Sequence, residues 1–249
     1  MNIDHHLANQ LKAIRLGGFL ETLELRLRQA REEEFDHLTF LQVMVQDEIE
    51  RREAKKLTQR LSRASFEEEK TLEGFDFSFN PTIKGSLVKH LATCLFIEKR
   101  EHVFICGPTG VGKTHLAQAL GHQACRKGHE VLFVKSVKML RSLHAARADH
   151  SWEKRMKKFL RPDLLIIDDF GLTGLTASQA EDFYEIVTER HLKSSMIINS
   201  NRPPQDWIPL FPDPVMANSA LDRLAHHAHH IIIEGGESYR KKLRPTYPK

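Results

Sequence analysis

The fold is decided by residues 107–114, which read Gly107-Pro108-Thr109-Gly110-Val111-Gly112-Lys113-Thr114. The apolar residues 102–106 before this stretch predict a buried strand, and residues 115–120 after it predict a helix. Its three glycines let the backbone turn its N–H groups inward at a helix N-terminus, where such groups bind anions. The order G-x-x-x-x-G-K-T between a strand and a helix is the Walker A pattern of a phosphate-binding loop. A glycine-rich turn between strand and helix needs no ligand, but Gly-Lys-Thr at this offset favours a nucleoside triphosphate site.

The residue types of this loop also predict the roles of individual side chains. Lys113 reaches the β- and γ-phosphates, and the Thr114 hydroxyl is a ligand for Mg²⁺. We therefore predict that the nucleotide is bound by all eight loop residues, namely Gly107, Pro108, Thr109, Gly110, Val111, Gly112, Lys113 and Thr114.

Two later strands end in polar residues that suit the same chemistry. Residues 163–169 are an apolar run closed by Asp168 and Asp169, which is the Walker B pattern. A buried parallel strand would place Asp168 beside the phosphate loop to hold Mg²⁺, and Asp169 would polarise the attacking water. A further strand is predicted within residues 195–204 and again ends in polar residues, of which Asn201 is predicted to order that water or to touch the γ-phosphate. Asn201 could also be a simple turn residue before Arg202-Pro203.

Length, charge and cysteine content limit the class of protein. The chain has 249 residues and a net charge of +4, with the basic excess lying after residue 73. This distribution suits a polyanionic partner, although many α/β domains are mildly basic. No apolar run is long enough to span a membrane, and the N-terminus does not resemble a signal peptide. Three cysteines without C-x-x-C spacing predict reduced thiols and a cytoplasmic protein.

The chain divides into two predicted domains, residues 1–70 and residues 71–249. Apolar residues at helical spacing predict helices over 5–66, interrupted at Gly17-Gly18, with a third helix starting after Thr39. This small helical domain could serve packing, partner binding or DNA contact. Residues 66–85 have the turn residues and phenylalanines of a linker that docks on a core. A helix is predicted over 83–97.

Three further clusters allow two interpretations each. Residues 135–161 are rich in lysine and arginine and either contact DNA phosphates or form a solvated helix face. The same two interpretations apply to the basic tail, residues 240–244. The histidines of residues 226–230 precede an apolar run and predict alternating faces of a strand, in preference to a metal site.

The complete set of motifs resembles the AAA+ ATPases and, more narrowly, the IstB-like ATP-binding proteins of insertion sequences, which are related to DnaC-type helicase loaders. The resemblance covers nearly the whole chain. It rests on the Walker motifs together with five further segments, and the combination with Leu221-Asp222-Arg223-Leu224 and Ser238-Tyr239-Arg240 is more selective than the Walker motifs by themselves. These segments are residues 16–19, Phe75-Asp76-Phe77, Ser200-Asn201, Leu221-Asp222-Arg223-Leu224 and Glu237-Ser238-Tyr239-Arg240.

This resemblance implies a P-loop AAA+ domain, a three-layer αβα structure with a parallel sheet, preceded by a small all-helical domain. It implies ATP and Mg²⁺ as cofactors, Asp169 as the catalytic acid and Asn201 as sensor 1. Arg223 stands where the family places the arginine finger that acts on a neighbouring subunit, and Arg240 is a candidate nucleotide-sensing arginine. Asp169 replaces the glutamate of many AAA+ enzymes, so slow or partner-dependent hydrolysis is expected.

The resemblance also implies partners: duplex DNA, a transposase and further copies of the chain. The segment after Arg223 is too short for the helical lid of most AAA+ domains, so a neighbouring protomer is expected to complete the ATP site. The leading hypothesis is an ATP-dependent helper that assembles on target DNA and directs transposition. A replicative helicase loader shares the ATPase core, and a small-molecule kinase or a purely structural nucleotide-binding module fits the motifs less well.

Overall fold

The computed structural model describes residues 5–235, and its chain divides into two compact units, residues 1–59 and residues 60–249. The two units are treated separately below. The geometric boundary precedes residue 70, and a functional division at residue 70 stays a prediction.

The described part of the first unit is helical. Its helices are α1 (His5–Ala13), α2 (Gly17–Glu32) and α3 (His37–Ala64), the last residues of which belong to the second unit. The interruption after α1 lies at residues 14–16, where Arg15 adopts a left-handed φ of 59°. The pair Gly17-Gly18 therefore begins α2 instead of separating the helices. Thr39 does not begin α3 either, because its N–H bonds to the Asp36 carboxylate at 2.6 Å, as in an N-cap.

Helices α2 and α3 approach each other closely at Gly18. A Cβ atom at this position would lie 2.0 Å from Glu48 Oε2 and 2.6 Å from Arg51 Cδ, so a larger residue would displace these two side chains of α3. Further along, the Arg26 guanidinium binds the Asp47 carboxylate through two hydrogen bonds of 2.9 and 2.7 Å. The second glycine of the pair thus serves close helix packing, a role that its position in the sequence did not predict.

The second unit is built on a five-stranded parallel sheet. Its strands are β1 (His102–Cys106), β2 (Val131–Lys135), β3 (Leu164–Phe170), β4 (Ser195–Ser200) and β5 (Ala228–Ile232). They lie in the order β2-β3-β4-β1-β5, and every neighbouring pair is parallel. Because the strands are parallel, the carboxyl ends of β1, β3 and β4 meet at one edge, where open α/β sheets bind ligands.

Helices cover both faces of this sheet. They are α4 (Gly85–Ala92), α5 (Leu95–Glu98), α6 (Lys113–Arg126), α7 (Ser136–Ala148), α8 (Trp152–Leu160), α9 (Ala177–Arg190) and α10 (Pro214–Ala225), with a 3-10 helix at Pro204–Leu210. Helix α6 packs on β1 to β4, and on the other face α7, α9 and α10 enclose the main apolar core with Leu165 and Ile167 of β3. The predicted three-layer αβα arrangement is confirmed.

The single helix expected over residues 83–97 is wrong. The chain forms α4 and α5, separated at Cys94, which has a left-handed φ of 65°. Its thiol is buried, as are those of Cys106 and Cys125, and all three are free.

The linker docks on the second unit as expected. Phe66 packs near His122 and Phe133, and the Gln118 side chain accepts hydrogen bonds from the N–H groups of Glu67 and Glu68. Within residues 5–235, no helix combines the length and apolar character needed to cross a membrane.

Candidate nucleotide site

The loop between β1 and α6 has the shape that its glycines predict. Gly107 has φ 153°, and a Cβ atom there would lie 2.6 Å from the backbone oxygen of Ile233. Gly112, with φ 98°, immediately precedes α6, and a Cβ atom there would lie 3.4 Å from the Phe75 ring. Any side chain at Gly107 would therefore push β1 and the residues after β5 apart, and the loop leaves the first N–H groups of α6 directed towards an anion.

The Lys113 side chain joins this loop to the end of β4. Its ammonium group donates hydrogen bonds of 2.7 Å each to the backbone oxygens of Gly107 and Pro108 and to Oδ1 of Asn201. The residue is only 7% exposed. Lys113 and Asn201, predicted from separate motifs, are thus brought into direct contact.

Thr114 and Asp168 form the second contact of the site. The Thr114 hydroxyl lies 3.1 Å from both carboxylate oxygens of Asp168, which is 1% exposed. Burial raises the pKa of Asp168, against hydrogen bonds from Asn199 and Thr114 that favour the ionised form. The Asp168 carboxylate is buried, accepts hydrogen bonds from neutral groups and lies next to a hydroxyl. Its oxygens and the hydroxyl form a set of ligands that fits a hard cation such as Mg²⁺.

A cation bound at the Thr114–Asp168 pair would take most of its ligands from groups other than protein side chains. Within residues 5–235, no group of three or more His, Cys, Asp or Glu side chains is placed to hold a metal ion. Mg²⁺ at nucleotide sites is commonly held by one or two protein oxygens, with phosphate and water as the other ligands. The Thr114–Asp168 pair meets that requirement.

Asp169 differs from Asp168 in its backbone. It adopts a left-handed φ of 55°, and the pairing of β3 with β4 is irregular between Ile167 and Phe170. The irregularity breaks the strand alternation, so Asp168 is buried whereas Asp169 is half-buried. The Asp169 backbone oxygen accepts a 2.9 Å hydrogen bond from the Ser136 hydroxyl, which holds this uncommon conformation.

Two asparagines of the site were not predicted from the sequence. Asn199 is fully buried in β4, and its amide donates a 2.7 Å hydrogen bond to Asp168 Oδ1. Asn80 of the linker is 4% exposed and donates a 2.6 Å hydrogen bond to the backbone oxygen of Val111 in the phosphate loop. A signal existed for Asn199, because it lies two residues before Asn201 and strand alternation places both on one face. Asn80 lies before Pro81, a pattern that indicates only a turn.

Of the two predicted arginines, Arg223 lies within the described residues, and its described contacts are with groups outside this cluster. Arg223 lies in α10, where its guanidinium bonds to the backbone and hydroxyl oxygens of Ser219 and lies 5.4 Å over the Tyr184 ring. These contacts keep Arg223 against α9 and α10. Arg240 and the segment 237–240 lie outside the described residues, as does the basic tail.

The histidines of residues 226–230 lie on β5 and just before it. His229 and His230 lie on β5, as expected, while His226 and His227 precede the strand. His229 is bonded to Glu101 at 2.7 Å.

Fold and site together define a P-loop protein of the AAA+ type. Solved structures with a similar fold include the DnaC helicase loader, with a TM-score of 0.52 and 22% identity, covering 59% of this chain and 86% of that one. DnaA from Aquifex aeolicus bound to AMPPCP has a TM-score of 0.56 and 21% identity, covering 72% of this chain and 54% of that one. At these identities the likeness shows the fold alone.

The family follows from sequence comparison. The family model of the IstB-like ATP binding proteins matches residues 9–246, and the chain belongs to this family. An insertion-sequence ATP-binding protein of Mycobacterium tuberculosis is 44% identical over 97% of this chain and 96% of its own length. The ATP-binding protein of insertion sequence IS21 from Pseudomonas aeruginosa is 37% identical over 95% of this chain and 88% of its own. The predicted family and the assignment to the AAA+ ATPases are confirmed.

Proposed function

We propose that this protein is an ATP-dependent, DNA-binding helper of a transposase, which assembles on target DNA and directs transposition. The observation that carries the proposal is the family match across residues 9–246, shared with relatives named for insertion sequences. The nucleotide-site geometry supports it, because a helper controlled by ATP needs an intact phosphate loop and a metal-binding carboxylate. A cytoplasmic location stays a prediction.

In the proposed reaction, Lys113 and the loop N–H groups bind the phosphates, and Thr114 and Asp168 hold Mg²⁺. The metal ion, when bound, neutralises charge on the phosphate oxygens. Asp169 accepts a proton from the attacking water, and Asn201 orients that water or the γ-phosphate. The 2.7 Å contact between Lys113 and Asn201 supports these roles, since it brings the sensor to the lysine that would touch the same phosphate.

Arg223 is proposed to act on the nucleotide of a neighbouring copy. Its contacts with Ser219 and Tyr184 lie on α10 and α9, away from the Lys113–Asp168 cluster of its own chain. An arginine supplied by a second subunit stabilises the charge of the transferring phosphate and accelerates hydrolysis by ~10³–10⁵ in other NTPases. Hydrolysis would then depend on assembly.

The surface that suits duplex DNA is α8. Met156 and Phe159 face the core, which leaves four cations exposed on the same helix: Lys154, Arg155, Lys157 and Lys158. By contrast Lys135 pairs with Glu67 at 2.9 Å, and Arg147 pairs with Asp182 at 2.6 Å. Trp152, which could have stacked on bases, instead donates its indole N–H to Asp182. The basic stretch thus combines a structural part with an exposed part suited to phosphates.

The decisive experiment compares ATP hydrolysis with and without duplex DNA. We expect slow hydrolysis by the protein alone and stimulation by DNA. Lys113→Ala should reduce the stimulated rate by at least ~10²-fold, since it removes the charge that binds the transferring phosphate. Lys99→Ala, which changes an exposed lysine at the other edge of the sheet, is the matched control and should retain the wild-type rate.

The same protein samples test assembly and DNA contact. With duplex DNA present, ATP should produce larger complexes than ADP in sedimentation, and equal sedimentation would count against ATP-driven assembly.

The double variant Lys157→Ala/Lys158→Ala should weaken DNA binding and lower its salt dependence by about one unit of slope per lost phosphate contact. An unchanged slope would remove α8 from the DNA surface.

Partner identity separates this proposal from its alternative. The second candidate partner is a replicative helicase, because the DnaC-type helicase loaders share the ATPase fold. Tagged protein with ATP and DNA should retain the transposase of its own insertion sequence and not the replicative helicase. The reverse result would establish the loader function instead.

A further inference from the structure

Asn199 follows three consecutive apolar residues in β4. Residues 196–198 are Met-Ile-Ile, all fully buried, and Asn199 follows them with no exposed surface. Burying a primary amide is unfavourable unless its polar atoms are hydrogen-bonded. Asn199 therefore needs a compensating interaction, and the nature of that interaction indicates its role.

The interaction is with a side chain, not with the backbone. The Asn199 amide nitrogen donates to Asp168 Oδ1 at 2.7 Å, whereas its own oxygen is buried and has no hydrogen-bond partner among the described residues. A buried asparagine that only supported the strand would be expected to satisfy both ends of the amide. The strand tolerates one unsatisfied atom, and the other atom is directed at the carboxylate.

The hydrogen bond distinguishes the two oxygens of Asp168. The Thr114 hydroxyl lies at 3.1 Å from both and has a single proton to donate, so it does not choose between them. Asn199 bonds only to Oδ1, which fixes the rotation of the carboxylate and leaves Oδ2 as the less occupied oxygen. Neutral donors orient the group without cancelling its charge, which suits a carboxylate that must attract a cation.

We propose that Asn199 is a positioning residue of the nucleotide reaction, which orients the Asp168 carboxylate for the Mg²⁺ ion that accompanies ATP. The inference rests on the proposed function, because it presumes ATP and Mg²⁺ at this site. Asn199 acts through Asp168 and touches neither the nucleotide nor the water. Partners of this kind, which orient a metal ligand, typically change metal affinity or activity by ~10–100-fold when they are removed.

The test measures the gain in nucleotide affinity that Mg²⁺ provides. A fluorescent ATP analogue is titrated into the full-length protein once in EDTA and once in Mg²⁺, and the ratio of the two dissociation constants is taken. Asn199→Leu keeps the branch at Cγ and removes the donor, although leucine is larger. We expect this ratio to fall by ~10-fold while the affinity in EDTA stays within about twofold of the wild type.

A second variant and a control keep the result interpretable. Asn199→Ala introduces less bulk beside the carboxylate and replaces the leucine variant if that variant does not fold. It should show the same fall in the ratio of dissociation constants. Asn218→Ala, at an exposed asparagine of α10, should leave the ratio unchanged. Circular dichroism and thermal melts confirm that each protein is folded at the temperature of the titration.

Two outcomes would overturn the inference. In folded Asn199→Ala, an unchanged ratio with both affinities near those of the wild type would exclude a role toward the metal. Equal losses of affinity in EDTA and in Mg²⁺ would indicate a structural role for Asn199. A different result, wild-type protein that binds no nucleotide in either buffer, would overturn the proposed function itself, and with it this inference.

Discussion

The two edges of the parallel sheet both contain buried polar side chains, but these side chains have different partners. At the amino edge, where β1, β3 and β4 begin, the polar side chains bond to backbone atoms. At the carboxyl edge, where the same strands end, side chains also bond to one another: Lys113 bonds to Asn201, and Thr114 bonds to Asp168. One edge is therefore organised for structure and the other for chemistry.

The amino edge centres on Arg190, which is fully buried at the end of α9. Its guanidinium donates to the backbone oxygens of Phe159, Leu160, Asp163 and Ser195, at 2.9, 3.2, 3.4 and 2.6 Å. Beside it, the Nδ1 atom of buried His102 accepts a 3.2 Å hydrogen bond from the Met196 N–H. These bonds join α8, α9 and the strands, so we interpret Arg190 and His102 as structural ties.

At the carboxyl edge, each bond joins groups that a nucleotide and its metal ion could also bind. The Lys113 ammonium bonds to carbonyl-type oxygens, for which phosphate oxygens can substitute, and the Asp168 carboxylate bonds only to neutral donors. The difference teaches that a buried polar residue in this sheet is interpreted best from its partner. At the amino edge the partners are backbone atoms that join separate elements, whereas at the carboxyl edge they include other side chains of the nucleotide site.

The largest expected effect is at the amino edge, from Arg190→Met. The methionine fills similar space but leaves four backbone oxygens without this donor. The two buried bonds, to Phe159 and Ser195, cost roughly 1–3 kcal/mol each when lost, before the recovered cost of burying a charge is counted. We expect a net loss of about 4 kcal/mol in the free energy of unfolding, measured by urea denaturation. Nucleotide affinity, measured where the variant is still folded, should stay near that of the wild type.

Arg190→Lys provides the control for charge. Lysine keeps the positive charge but lacks the planar fork that reaches several oxygens at once, so an intermediate loss is expected. A selective loss of nucleotide affinity in a folded Arg190 variant would break the comparison, because the amino edge would then also contribute to binding.

A smaller effect is expected from His102 as the pH is lowered. Burial lowers the pKa of His102 to about 4, whereas its ordinary value is 6.5. Between these values the unfolded chain binds a proton that the folded chain does not, so stability is lost as the pH falls from 6.5 towards 4. At pH 5 the loss should be about 2 kcal/mol relative to pH 7.

His102→Asn is the variant that isolates this contribution. The asparagine oxygen can accept the Met196 N–H hydrogen bond but does not titrate. Thermal melts at pH 7 and pH 5 should therefore show a smaller acid-induced drop for the variant than for the wild type. Parallel drops in the two proteins would mean that other groups, such as carboxylates, cause the acid sensitivity.

The carboxyl edge was largely predictable from the sequence, and the amino edge was not. Lys113, Thr114 and Asp168 belong to short motifs in which spacing and residue type are tied to one chemistry, so their contact could be expected. Arg190 and His102 look like ordinary polar residues next to an apolar strand. Their partners are backbone atoms of segments far apart in sequence, and no local pattern records such a bond.

Local backbone breaks were also missed, for a related reason. The left-handed residues Cys94 and Asp169 interrupt a helix and a strand without a glycine to mark them. At Asp169 the break is held by a hydrogen bond from Ser136, a tertiary contact that outweighs the local preference. Asn199 was overlooked because only the residue at the end of β4 was considered, although strand alternation offered the clue.

The smallest expected effect compares two buried aspartates of the same unit. Asp168 is 1% exposed and receives hydrogen bonds from the neutral Asn199 and Thr114, whereas Asp182 is 0% exposed and bonds to the Arg147 guanidinium at 2.6 Å. In EDTA, Asp168→Asn should raise the free energy of unfolding by about 1 kcal/mol, since it removes a desolvated charge that a metal ion would otherwise compensate. Asp182→Asn should lower it by about 2 kcal/mol, since it weakens a charged hydrogen bond. Urea denaturation of both variants gives the two signs, and added Mg²⁺ with ATP should stabilise the wild type but not Asp168→Asn. If Asp168→Asn were also destabilising in EDTA, the carboxylate would be a structural tie, and the contrast between the two edges of the sheet would fail at its central residue.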